Sequence, residues 1–172
     1  DSLLKQTYKN TSIYIRDDGS ADNTVSKIQP YLKSHSNINL AVGNNVGVID
    51  SFIELLKQAP NNRHELYAFC DQDDIWLPDK VERAVTLLAK QPSPENTLYC
   101  SRLEYVDENL NHLGYTLPPE VIGFNNAIVE NIAVGCTTVF GSEIREKMLQ
   151  ASTNNMMMHD WWAYLTATAF GN

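Results

Sequence analysis

Short runs with strand character alternate with longer runs of helical period, and two of those short runs end in acids. "TSIYIR" (11–16) is β-branched and aromatic and runs into Asp17-Asp18-Gly19-Ser20. "NINLAV" (37–42) closes on Gly43-Asn44-Asn45. "ELYAFC" (65–70) runs into Asp71-Gln72-Asp73-Asp74. "NTLYCSRLEYV" (96–106) and "CTTVF" (136–140) read as fourth and fifth strands. Between them, "GVIDSFIELLKQ" (47–58) repeats its apolar residues at helical spacing, and Val81, Val85 and Leu88 line one helix face. Ser20 is expected to cap a helix ending near Leu32, with Pro30 disturbing its end. Pro78 suits a first helical turn, and Ser142 is expected to cap "SEIREKMLQA" (142–151). "HDWWAYLTATAF" (159–170) reads as a mostly buried helix, and residues 107–124 as an irregular segment. Such alternation predicts an α/β fold, with a mostly parallel central sheet flanked by helices. In sheets of that kind ligands bind beyond the carboxyl ends of the strands, where both acid turns are expected to sit.

The bulk properties narrow the chemistry. A length of 172 residues suits a single domain (1–172), and 43% hydrophobic residues can build a sizeable core. The net charge of −8 argues against a nucleic-acid partner, because phosphate-backbone binding needs a basic surface. It leaves room for a nucleotide held through a metal ion. Cys70, Cys100 and Cys136 are odd in number and read as reduced, buried thiols of a cytoplasmic protein. No signal peptide or membrane-length apolar run is visible. The abrupt start at "DSLLKQTYKN" and the stop at Gly171-Asn172 suggest a piece of a longer protein.

The acid turn 71–74 carries the sharpest signal. One Asp after a strand is a common solvated turn residue, favoured by a nearby helix N-terminus. Close carboxylates raise one another's pKa, and a divalent cation removes that conflict. Carboxylate oxygens are hard ligands suited to Mg²⁺ or Mn²⁺, so Asp71-x-Asp73 is a candidate metal pair. A calcium loop counted from Asp71 fails, because its sixth position must be Gly and is Trp76. A receiver-type phosphotransfer site fits poorly, since no lysine stands at a late strand end. In "HDWW", Asp160 either begins a helix or serves as a general base, and an acid held against apolar rings suits the latter. His159 is a candidate phosphate or metal contact or is simply exposed.

Three motifs in order, "IRDDGSADNT", "FCDQDDIWLPDK" and "NNMMMHDWW", resemble family 2 glycosyltransferases of the GT-A fold, in particular the bacterial rhamnosyltransferase-like branch. "QTYKN" (6–10), "GNNVG" (43–47) and "NIAVGCTTVF" (131–140) are similar to that family too. The resemblance implies an inverting, metal-dependent glycosyltransferase using Mn²⁺ or Mg²⁺. Its implied donor is dTDP-rhamnose or a UDP-sugar, and its acceptor a hydroxyl of a saccharide or lipid-linked saccharide in surface-polysaccharide synthesis. Asp17 and Asp18 are implied nucleotide contacts, with Asn44 and Asn45 shaping the pocket. Asp71 and Asp73 match the DxD metal-diphosphate motif, and Asp160 matches the catalytic base. Asp74, Trp76, Gly135, Cys136, Thr137, His159 and Trp161 are candidates for the donor or acceptor side. The family's first strand would precede Asp1, so its nucleotide contacts have no counterpart here. Missing regions would supply any membrane contact, at the inner face of the plasma membrane. A nucleotidyltransferase, lacking a visible Gly-rich phosphate loop, and a non-catalytic sugar-nucleotide-binding fragment are the alternatives.

Overall fold

The structure is a computed structural model and describes residues 1–171. In chain order the elements are β1 (Ile13–Asp17), α1 (Thr24–Ser34), β2 (Ile38–Val42), α2 (Val48–Gln58), β3 (Leu66–Ala68) and α3 (Lys80–Leu88). They continue with β4 (Leu98–Cys100), β5 (Glu104–Val106), β6 (His112–Tyr115), α4 (Phe124–Ala127), β7 (Thr138–Gly141), α5 (Ser142–Leu149) and α6 (His159–Phe170). The α/β class is as expected. Among the described residues parallel pairing is confined to β1 and β2, in the register Ile13↔Ile38 to Asp17↔Val42. A second sheet has the order β3-β7-β4, with β7 antiparallel to both neighbours. Between the β1 and β3 edges lies an apolar-walled cavity of about 860 Å³, lined by Ile13, Tyr14, Leu55, Tyr67, Val85 and Val139 among others.

Several local expectations shift for identifiable reasons. The expected fourth strand breaks after Cys100; its far end becomes β5, which pairs in a hairpin with β6 inside the segment read as irregular. Ser20 does not cap α1. That helix starts at Thr24, and Ser20 stays in the turn, where its N–H donates to Asp17 Oδ2 at 3.0 Å. Pro30 sits inside α1 without ending it, so the expected disturbance does not stop the helix. Ser142 is the first residue of α5 rather than its cap, and its hydroxyl donates to Arg63 O at 2.8 Å. Pro78 precedes α3, and the amide of Val81 in its first turn finds Gln6 Oε1 at 3.1 Å. Gln6 is buried and also donates to Leu77 O at 2.9 Å, so "QTYKN" is stapled across the turn that follows the acid cluster.

The core forms where β7 meets α2, α5 and α6. Phe140 is fully buried, stacks near Tyr67 (ring centroids 6.0 Å apart) and tilts against Phe69 (5.1 Å). Ile53 and Leu56 of α2, Ile144 and Met148 of α5, and Ala163 and Ala167 of α6 close around it. Arg145 is buried, but its charge is answered: the guanidinium donates to Leu56 O and Ala59 O, the free carbonyls at the end of α2. Among the described residues no helix is long and apolar enough to cross a membrane. Truncating Phe140 removes the ring at the centre of this cluster. Phe140→Ala is expected to destabilise the chain by about 3–5 kcal/mol, read from urea unfolding.

Candidate active site

The parallel register of β1 and β2 ends both strands side by side, so the turns after them meet. Asp17 closes β1 and is 5% exposed. Its Oδ2 accepts the amides of Gly19 (3.2 Å) and Ser20 (3.0 Å), an Asx-type turn. The Ser20 hydrogen bonds hold its carboxyl below the usual range. Asp18 points across to the second turn. Its Oδ1 accepts the Val46 amide at 3.0 Å, and its Oδ2 accepts Val46 (3.1 Å) and Gly47 (3.0 Å). Arg16 pairs with the same carboxylate. Desolvation alone would raise Asp18, but these donors outweigh it and hold it low. Asn45 Oδ1 accepts the Gly47 amide at 3.1 Å, and Asn44 offers its backbone oxygen to Arg16. Both asparagines are exposed.

The acid turn after β3 is built differently. Because β7 runs antiparallel to β3 with Ala68 opposite Val139, continuing the register brings Asp71 opposite Cys136. Oxygens of Asp71 and Asp74 and the Cys136 sulfur lie within 4.8 Å of one another. Asp73, two residues after Asp71 and next to Asp74, is exposed and stands outside the group. Burial first, then the charges of Asp74, Asp73 and Asp160, hold the Asp71 carboxyl above its ordinary value. Burial and the hydrogen bond to Asp74 push the Cys136 thiol up to about 12. Trp76 is buried beside this turn, with Lys80 Nζ 4.0 Å from its ring centroid.

Residues Gly135–Thr137 form one 3-10 turn leading into β7, and this turn joins the acid cluster to α6. The Gly135 amide donates to Asp160 Oδ2 at 2.9 Å, and the Trp161 amide to Oδ1 at 2.7 Å. Asp160 is thus fixed by both oxygens and is 9% exposed. Thr137 turns its hydroxyl inward to Val134 O at 2.6 Å. Trp161 Nε1 donates to Ala127 O at 2.7 Å, anchoring α6 to α4. The apolar rings meet His159 rather than Asp160: Phe52 stacks on the imidazole at 3.9 Å, and Phe69 meets it edge-on at 4.7 Å. His159 is 3% exposed, so the expectation of simple exposure does not hold. Burial brings its pKa down to about 4 despite neighbouring Asp160, so the ring is neutral at pH 7. All three cysteines are free; Cys136 is buried as expected, whereas Cys70 and Cys100 are only partly buried.

Sequence reasoning did not single out Arg16, Ser51, Phe52 or Lys80. Arg16 abuts "DDGS" and pairs locally with Asp18, but its other partners lie 28 and 35 residues downstream, so adjacency alone did not reveal its bridging role.

The fold is an α/β frame whose polar turns meet at strand ends, the arrangement expected of a GT-A transferase. The profile of "Glycosyl transferase family 2" matches residues 1–152, and the chain belongs to that family. The UDP-Glc:alpha-D-GlcNAc-diphosphoundecaprenol beta-1,3-glucosyltransferase WfgD of Escherichia coli is 31% identical over 139 residues, covering 80% of this chain and 51% of that protein. The dTDP-rhamnosyl transferase RfbG of Shigella flexneri is 26% identical, covering 95% of this chain and 58% of that protein. An uncharacterized glycosyltransferase of Rickettsia conorii is 30% identical over 134 residues, 73% of this chain and 20% of that protein. The chain spans about half the length of WfgD and RfbG.

The raised pKa of Asp71 makes a prediction about the ligand-free chain. A carboxyl raised on folding adds stability below its unfolded pKa and loses that contribution as pH rises through the folded value. At pH 7 the charged Asp71 is therefore a cost. Asp71→Asn is expected to raise the melting temperature at pH 7 in the presence of a chelator, with the gain shrinking as pH is lowered through the Asp71 titration. A fall in melting temperature at pH 7 contradicts this.

Proposed function

We propose that this chain is the donor-binding and catalytic region of an inverting, metal-dependent glycosyltransferase. The observation carrying the proposal is the Gly135 amide on Asp160 Oδ2, which fixes a nearly buried carboxylate beside the Asp71–Asp74–Cys136 group. Asp160 is the general base. It accepts the proton of the acceptor hydroxyl as that oxygen bonds to the anomeric carbon. The bond from that carbon to the donor's β-phosphate oxygen breaks, and its electron pair leaves with the nucleoside diphosphate. Attack from the face opposite the leaving group inverts the anomeric centre in one displacement. Cys and Ser have no nucleophilic role, in keeping with a Cys136 thiol pushed up to about 12.

The residues around Asp71 fit a divalent cation. Two clustered carboxylates suit hard Mn²⁺ or Mg²⁺, whereas a thiol is a soft ligand. Asp71 and Asp74 would hold the ion, with exposed Asp73 toward the incoming diphosphate. When bound, the ion supplies Lewis-acid neutralisation of the leaving diphosphate. Asp17, at the end of β1, is the candidate contact to the nucleoside. WfgD is named for UDP-Glc and a diphosphoundecaprenol-linked acceptor, and RfbG for dTDP-rhamnose. They support a UDP-sugar or dTDP-rhamnose donor and a saccharide or lipid-linked saccharide acceptor.

Asp160→Asn is expected to retain Mn²⁺-dependent nucleotide binding while transfer falls by roughly 10²–10⁴, the range for a general base. Single-turnover transfer assays on the intact protein decide it, and an unchanged rate removes Asp160 from the chemistry. Calorimetry with UDP and dTDP separates the acids. Asp74→Ala should weaken Mn²⁺-dependent binding more than Asp73→Ala; the reverse order would restore the Asp71-x-Asp73 pair.

A further inference from the structure

We infer that Arg16 is a positioning residue for donor binding: its guanidinium locks the turn after β1, the turn after β2 and the start of α2 into one surface. This rests on the reading that these turns receive the donor nucleotide. Nη1 donates to Asp18 and to Ser51 Oγ (3.2 Å), and Nη2 donates to Asn44 O (3.1 Å). The acceptors thus come from both turns and from α2. A planar guanidinium can reach all of them at once, whereas an ammonium on a flexible stem cannot hold that fork. The Arg16 side chain is 9% exposed, so the group is structural to the site rather than reaching outward.

The surroundings are shaped to this side chain. A Cβ on Gly43 would lie 2.7 Å from Nη2, so glycine there leaves room for the guanidinium. Gly19 has φ +86°, and a Cβ there would lie 3.3 Å from both Asn45 N and Gly43 O, so the two turns press backbone to backbone. Asp18 is engaged inward by Arg16, Val46 and Gly47. Its task is therefore to hold the second turn. Residues 44–48 are exposed, so they depend on such polar ties rather than on apolar burial for their order.

The test titrates UDP and dTDP, with Mn²⁺, into the full chain and its variants by calorimetry. Amide exchange at Val46 and Gly47 is followed without ligand. Arg16→Met is expected to weaken nucleotide binding by about 10-fold or more, as loss of an outer supporting partner does elsewhere. Exchange at Val46 and Gly47 should accelerate. Arg16→Lys should fall between. Gly43→Ala should act in the same direction with no charge changed, and it carries the test if Arg16→Met does not fold. Asp18→Asn added to Arg16→Met should recover part of the loss, because the uncompensated carboxylate is gone. A purely structural arginine would lower the melting temperature and leave affinity for both nucleotides unchanged in folded variants, which would overturn the inference alone. If the parent chain binds neither nucleotide, the functional reading falls and the role given to Arg16 falls with it.

Discussion

The antiparallel pairing of β7 against β3 decides what the chemistry can be made of. With Ala68 opposite Val139, the residues that follow β3 run alongside those that precede β7. Residues more than sixty positions apart therefore share one turn-to-turn contact, and Cys136 meets Asp71 and Asp74. A parallel β7 would have carried that turn to the far end of the sheet. The same reversal aims the Gly135 amide at the start of α6, where Asp160 waits for it. Pairing on both edges and the full burial of β7 make this placement stiff.

The two polar regions are also joined through α2. Ser51 takes a hydrogen bond from Arg16, beneath the strand-end turns. Its neighbour Phe52 stacks on His159, the residue before Asp160. One helical turn thus touches the β1–β2 turns with a hydroxyl and the α6 start with a ring. The neutrality of His159 matters here. A charged imidazole would pair with Asp160 and compete for the carboxylate, whereas the buried ring supports it by packing alone. Neither imidazole nitrogen has a hydrogen-bond partner among the described residues, and in such a place the cost falls on stability.

What was legible in the sequence follows how local each cause is. The helix at 159–170 is the one read from its periodicity and opening acid, and α2 differs by one residue. Caps were less legible, because Ser20 and Ser142 found better partners in Asp17 and in Arg63 O. Acid spacing pointed to Asp71 with Asp73, but an i,i+2 step does not fix which carboxylate turns inward. That is set by the β3–β7 register, which puts Asp74 with Asp71 and leaves Asp73 exposed. The role of Arg16 was out of reach for the same reason. A side chain that joins one local acceptor, Asp18, to two from later elements shows only the local half of its role in the sequence.

The acid turn brings together stability and function. Burial and the neighbouring carboxylates hold the Asp71 carboxyl above its ordinary value, so packing Asp71 and Asp74 near buried Trp76 and a protonated thiol sets like charges against one another. Lys80, the nearby cation, stands over the Trp76 ring with no hydrogen-bond partner among the described residues, so it relieves the repulsion without cancelling it. A site that neutralised itself internally would have nothing left for a ligand. The strand-end turns of β1 and β2 make the opposite choice: Arg16 and backbone amides satisfy Asp18 within the fold. One region is therefore built to hold its shape; on the proposed function, the other would gain free energy when a cation binds. On that proposed reading, the rigid strand-end turns would receive the nucleoside while the diphosphate of the same ligand would be gripped through the ion.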